Sequence, residues 1–230
     1  QKDAQKYVDS LGLKNTNIGT DASGFDPSTT STAEDLTKLA VVAMKNKTLA
    51  EIVNQPQVEL PTAGVKENTN WLLGADGVVG IKTGHTTEAG GVYVFASKYD
   101  YGKSHSAMIV GAVQGEPVVI NAIRQSRLLI TQAKNNYELV SVVKKGQPVA
   151  VYTSPWGKSV NAVAAKEVSI LKWKSTALKP EIKLSDISAP IKSGAKVGVI
   201  KVGNESTDVI LQDSLQPADW QWRISRYLEP

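Results

Sequence analysis

The sequence predicts an α+β domain, with helices packed on an antiparallel sheet, followed by a smaller all-β domain. Two observations predict it. Helical spacing at Leu36, Leu39, Ala40 and Ala43, and again at Val119, Ala122, Ile123, Leu129 and Ile130, flanks three strand-like runs separated by glycine turns. Beyond about residue 136 the helical period is lost, and short strand-like runs recur at regular spacing. A domain boundary is placed there, giving domains 1–136 and 137–230. At 230 residues, 41% hydrophobic and 21% charged, the chain has the apolar content for buried cores, which excludes a wholly disordered protein.

The chain opens inside an element. Residues 1–10 read as the tail of a helix, with Ala4, Tyr7 and Val8 on one face and Gly12 as the stop. There is no helix start and no initiator Met, so the sequence is expected to be a fragment of a longer protein. Residues 15–27, rich in Asn, Thr, Asp, Ser and Gly, read as an irregular loop. Ser31-Thr32-Ala33-Glu34 is a capping box, a hydroxyl followed three residues later by Glu, and it starts a helix that Asn46 ends. A short helix through Leu49 and Val53 follows. Runs 78–83, 90–97 and 106–113 are expected strands, with Gly84, Gly90 and Gly102 in the turns that make them antiparallel neighbours. Residues 118–135 return to helix, with Arg124 and Arg127 on its solvated side. In the second domain, strands are expected at 138–143, 148–152, 160–164, 167–171, 196–202 and 207–212. Turns such as Ser154-Pro155-Trp156-Gly157 and Lys192-Ser193-Gly194 separate them.

Composition excludes several functions. Lys plus Arg is 26 against 22 Asp plus Glu, a net charge of +4, which describes a mildly basic surface. Nucleic acid is not an expected partner, because the basic residues do not cluster with stacking aromatics; Lys144-Lys145 is the one tight pair in the middle of the chain. With no cysteine there is no disulfide scaffold, thiolate zinc site or cysteine nucleophile. His85 and His105 are too few for a histidine-rich metal site. No metal and no cofactor are expected. No run of 18 apolar residues is present to cross a bilayer as a helix.

One segment carries chemistry: Lys82-Thr83-Gly84-His85, at the end of an expected strand. The Lys82 ammonium and Thr83 hydroxyl suit a substrate carboxylate, Gly84 lets a substrate approach the backbone, and the His85 N–H suits a developing oxyanion. In its setting, Gly80-Ile81-Lys82-Thr83-Gly84-His85-Thr86-Thr87-Glu88-Ala89-Gly90 resembles the third active-site motif of the low-molecular-mass penicillin-binding proteins, the serine-type D-alanyl-D-alanine carboxypeptidases. The resemblance runs through Leu11-Gly12-Leu13-Lys14-Asn15-Thr16, Gly24-Phe25, Ser31 to Leu36 and Asn68-Thr69-Asn70-Trp71-Leu72-Leu73. It continues into the β-rich tail at Lys144-Lys145-Gly146-Gln147-Pro148-Val149 and Ala189-Pro190-Ile191.

The resemblance implies an incomplete penicillin-binding/β-lactamase-like transpeptidase domain in front of the all-β domain. It implies a peptidoglycan stem peptide ending in D-Ala-D-Ala as substrate, β-lactams as ligands of the intact enzyme, and a place outside the cytoplasm in the cell envelope, associated with the membrane. It also implies two earlier motifs, Ser-x-x-Lys and Ser-x-Asn. Ser141–Lys144, Ser169–Lys172 and Ser159–Asn161 fit these patterns but follow Lys82-Thr83-Gly84 and fall on expected strands, where residues three apart face opposite ways. The nucleophile, its Lys and Ser-x-Asn are therefore expected before Gln1, no catalytic residue is expected in this chain, and the 230 residues alone are expected to be inactive. Such a truncation should expose Leu36, Leu39 and Ile81 and favour pairing with the missing half or with another copy. Glu88 is read as a solvated turn carboxylate, His105 as a surface histidine, and Asn70 either as a turn residue or as part of the site wall. The Trp220-Gln221-Trp222-Arg223 cluster with Tyr227 is either an element packed on the β-domain or a peripheral membrane anchor. Two rival readings remain: a non-catalytic cell-wall binding or scaffold module, and a β-lactamase relative.

Overall fold

The computed structural model describes residues 2–102 and 105–225. Two compact units divide the chain, Gln1–Asn136 and Tyr137–Pro230.

The first unit holds α1 (Lys2–Ser10), α2 (Ala33–Ala43), α3 (Lys47–Val53), a hairpin of β1 (Gln57–Leu60) and β2 (Gly64–Glu67), three strands β3 (Val78–Thr86), β4 (Gly90–Gly102) and β5 (His105–Glu116), and α4 (Val119–Asn136). β3, β4 and β5 form an antiparallel sheet in that order, so β3 lies at an edge. Alternation along β4 sends Tyr93 and Phe95 to one face, where Ala122, Ile123 and Ile130 of α4 meet them together with Leu72 and Val78. Gly111 on β5 is glycine because the Phe95 ring lies across it; a Cβ there would come within 2.5 Å of that ring. α2 lies against β5 and β4, and α3 against β3. Leu129 of α4 is exposed and Ser126 is buried instead, its hydroxyl bonding back to the Ile123 carbonyl.

Several expectations are corrected here. The helix start is Thr32, whose hydroxyl accepts the Asp35 N–H, so the Ser31–Glu34 capping box does not form. Asp35 is buried because it takes the Asn15 N–H and the Thr16 hydroxyl, pinning the loop after α1, and Glu34 turns outward to Lys38. In α1 only Val8 is buried; Ala4 and Tyr7 are exposed, because the helix is held through the Gln5 side chain, which takes the Ile18 N–H. Leu36, Leu39 and Ile81 are half-buried; the exposed apolar side chains of α2 and α3 are Val41, Leu49 and Ile52. Gly84 is not a turn residue: β3 continues through it, and the turn falls at 87–89. Arg127 is not simply solvated, since its Nε meets Asp76 Oδ2 at 2.6 Å. The β1–β2 hairpin has no counterpart in the expected elements.

Among the described residues, the second unit is all-β apart from α5 (Trp220–Ser225). β10 (Glu181–Leu184), β11 (Lys196–Val202), β12 (Glu205–Leu211), β8 (Ser159–Ala164) and β7 (Pro148–Thr153) form an antiparallel sheet in that order. β6 (Tyr137–Val143) pairs with β9 (Val168–Trp173). Val143 and Val168 from this pair share a core with Val160, Ala162, Val197, Ile200, Val202 and Val209 of the sheet, a small two-layer sandwich. β10 was not expected: its four residues are all exposed and carry no burial alternation.

Candidate active-site wall

β3 is positioned at its start by a turn that the helix grips. Asp76 adopts a left-handed conformation (φ 53°), and its carbonyl accepts from the Ser97 hydroxyl and from Lys134 Nζ at 2.6 Å. With the Arg127 contact, this ties α4 to the turn that launches β3. Gly77 follows at φ 75°, where a side chain would run into the Lys98 carbonyl. Farther along, Gly80 lets β3 pass α3, since a Cβ would lie 2.7 Å from Val53 Cγ2.

The strand then carries Lys82-Thr83-Gly84-His85, paired with Val94, Tyr93, Val92 and Gly91 of β4. Thr83 shares a face with buried Tyr93 and is itself only 9% exposed. Its Oγ1 lies 3.0 Å from Thr69 Oγ1. Lys82 is exposed and its Nζ donates to the Thr83 carbonyl. Beside Gly84 the place of a Cβ is open, with nothing within 4 Å. His85 is exposed, and its Nε2 lies 3.3 Å from the Pro117 carbonyl. Past the end of β3, a pocket of about 450 Å³ opens between loop 24–31 and turn 86–89, lined by Phe25, Thr86, Glu88 and Gln114 among others. Asp26 borders it; hydrogen bonds from Thr20 and Ser28 hold its carboxyl well below the usual carboxylate range.

Behind the strand, residues 68–70 act as a clamp. Asn68 Nδ2 donates to the Gln55 carbonyl at 2.9 Å, and its Oδ1 accepts the Asn70 N–H. Asn70 is buried and takes the Tyr93 hydroxyl at 2.8 Å. Asn70 therefore sits in the wall rather than in a free turn. Burial pushes the Tyr93 phenol up to about 12, with the bond to Asn70 opposing that only in part. Thr69 and Tyr93 were missed by sequence reasoning. The available signal was Thr69 standing between two asparagines ahead of a buried Leu72.

Elsewhere, the Ser-x-x-Lys patterns do not form a paired nucleophile and base. Ser141 is exposed on β6, with Lys144 beyond the strand's end. Ser169 is buried and donates to Glu167, whereas Lys172 pairs with Glu138 at 2.8 Å. Asn161 of the third pattern donates to the Gln212 side chain. Among the described residues, no three His, Asp or Glu side chains gather as a metal set. In the C-terminal cluster, Trp222 stacks edge-on against Trp156 at 5.8 Å, whereas Tyr227 lies outside the described residues.

Residues 2–113 match the family model described as D-alanyl-D-alanine carboxypeptidase, and residues 137–216 match penicillin-binding protein 5, C-terminal domain. The two matches fall on the two units in turn. Together with the relative that follows, they support a fragment of a low-molecular-mass D-alanyl-D-alanine carboxypeptidase. It is 25% identical over 213 residues to D-alanyl-D-alanine carboxypeptidase DacA of Haemophilus influenzae, covering 89% of this chain and 53% of that protein. The chain thus spans about half the length of the curated relative it matches. Penicillin binding protein 5 from Haemophilus influenzae shares the fold over 94% of this chain and 65% of its own, with a TM-score of 0.57 and 23% identity. Penicillin-binding protein D2 from Listeria monocytogenes, in its ampicillin-bound form, is similar over 56% of this chain and 53% of its own, with a TM-score of 0.50 and 25% identity.

Proposed function

We propose that this chain belongs to a serine-type D-alanyl-D-alanine carboxypeptidase that trims peptidoglycan stem peptides ending in D-Ala-D-Ala, in the cell envelope and at the membrane. The observation that carries the reading is Lys82-Thr83-Gly84-His85 on an edge strand with open space beside Gly84. In this reading Lys82 and Thr83 take the terminal carboxylate, and the His85 N–H supplies half of an oxyanion hole. With the Thr69 hydroxyl as donor across their 3.0 Å contact, the Thr83 hydrogen is left for the carboxylate. The rest of the peptide runs along β3, whose rise of about 3.4 Å per residue brings its upstream residues to the pocket at Thr86, roughly 10 Å from Thr83.

The nucleophilic serine, its Lys and Ser-x-Asn are proposed to come from polypeptide outside these 230 residues. The serine attacks the penultimate D-Ala carbonyl, the C–N bond breaks, D-Ala leaves protonated, and water hydrolyses the resulting ester. The ampicillin-bound Listeria relative supports β-lactams as ligands of the same site. The match of residues 137–216 speaks for a carboxypeptidase over a β-lactamase relative. Pairing of the first unit with further polypeptide, or with a second copy, completes the proposal.

Fluorescent penicillin tests it. The 230-residue chain is expected to form no covalent adduct. The same chain extended through its upstream coding region is expected to form one, and Lys82→Ala should slow that acylation about a hundredfold or more. A stable adduct on the 230 residues overturns the placement of the nucleophile. An extended protein with no adduct favours the non-catalytic wall-binding module.

A further inference from the structure

Within the second unit, a groove of about 620 Å³ runs between the β7–β8 turn, the loop after β12 and α5. Its lining combines two indoles with hydrogen-bonding side chains: Trp156 and Trp222, with Lys158, Asp213, Gln216 and Asp219. The two rings meet at 5.8 Å and 63°, and each is half-buried, so they form an angled aromatic corner at the edge of the core. Trp222 is fixed there by its backbone, since its N–H donates to Asp219 Oδ1 at 2.8 Å. The floor is buried Val160 and Leu215. Among the described residues, the side chains of Lys158, Asp213 and Gln216 have no partner within the protein, so their donors and acceptors are available to a ligand.

We propose that this groove binds a saccharide chain. The chemistry selects that class. A pyranose ring presents an apolar face of C–H groups, which suits an indole, and a rim of hydroxyls, which suits carboxylates and a carboxamide. Two carboxylates at the groove oppose nucleic acid and anionic lipid, since both need uncompensated cations. A purely apolar partner would strand Asp213, Gln216 and Lys158 without hydrogen bonds. The groove lies in a different unit from Lys82-Thr83-Gly84-His85, and its binding involves no acyl transfer. Its failure and that of the proposed carboxypeptidase reading are therefore separable.

The test is a titration of the 230-residue chain with a β-1,4-linked tetramer of N-acetylglucosamine, followed by indole fluorescence and isothermal calorimetry. Saturable binding at about millimolar concentration or tighter is expected. Trp222→Ala should weaken it roughly tenfold or more, and Asp213→Asn, which keeps both indoles, severalfold. Trp156 also touches the core, so the exposed Asp213 variant guards against loss of folding, checked by circular dichroism. No saturable binding up to about 10 mM, or unchanged binding in both Trp222→Ala and Asp213→Asn, overturns the proposal.

Discussion

The two units are built from different materials. The second closes on an aliphatic core, in which Val, Ala, Ile and Leu from two sheets meet with little polar content. The first, which carries Lys82-Thr83-Gly84-His85, closes on Tyr93 and Phe95 and buries Asp35, Asn70, Thr83, Ser97 and Ser126. Most of the exposed large apolar side chains also belong to it, among them Phe25, Ile52 and Trp71. Buried polar groups are as a rule hydrogen-bonded, and here such bonds fix β3: Tyr93 to Asn70 Oδ1, Thr69 to Thr83, Ser97 to the Asp76 carbonyl; the buried Asn70 Nδ2 stands without a partner. The contrast teaches that the first unit is organised to place one strand and the second to close one core.

The largest way to break that contrast is to open each core in turn. Phe95→Ala should cost about 3–5 kcal/mol and Ile200→Ala about 2–5 kcal/mol, read by chemical denaturation. If the first unit shrugs off Phe95→Ala with less than about 1 kcal/mol, its core does not rest on the aromatic pair. The next effect is specific to the first unit. Tyr93 ionises near 10.0 when unfolded and at about 12 when folded, so its contribution is full below pH 10 and is lost as pH rises towards 12. That loss amounts to about 2–3 kcal/mol. Tyr93→Phe should flatten this alkaline slope, and an unchanged slope would assign it to other groups.

A smaller effect bears on the clamp. In a protein that also carries the proposed serine, Thr69→Val should slow penicillin acylation roughly tenfold, with Thr69→Ser restoring most of it. Equal rates in the Val and Ser variants would mean that the hydroxyl does not orient Thr83. Smallest of all is Arg127→Ala. The Arg127 side chain is 53% exposed, so losing its pair with Asp76 should cost under about 1 kcal/mol, less at high salt, in a melting experiment. A larger loss would show that the turn launching β3 depends on that ion pair.

Much of this was legible in the sequence because it is local. The strands around Lys82, the helix after Glu116 and most second-unit strands announce themselves by spacing over a few residues. What was not legible depends on distant partners. β3 runs on through Gly84 because Val92 and Gly91 pair with it, against the local turn signal of a glycine. Thr32 rather than Ser31 caps α2, because the Ser31 hydroxyl is engaged with the Thr16 hydroxyl, fifteen residues upstream. Thr69 became a site residue only through a hydroxyl fourteen positions away. β1, β2 and β10 are only four residues long and exposed on both faces, so the polar–apolar alternation of β1 and β10 is too short to mark a strand.

The outer position of β3 has one more consequence, for solubility. A strand with an unpaired edge invites the edge of another molecule, and proteins blunt that invitation with a charge. Lys82 is the charged side chain at the middle of this edge, two residues before Gly84, which offers no obstruction. The ammonium proposed to receive a carboxylate therefore also serves as a gatekeeper against fibrous self-association. A neutral residue at position 82 should yield a protein that is defective in recognition and sticky in the test tube, and the two faults must be told apart before either is interpreted.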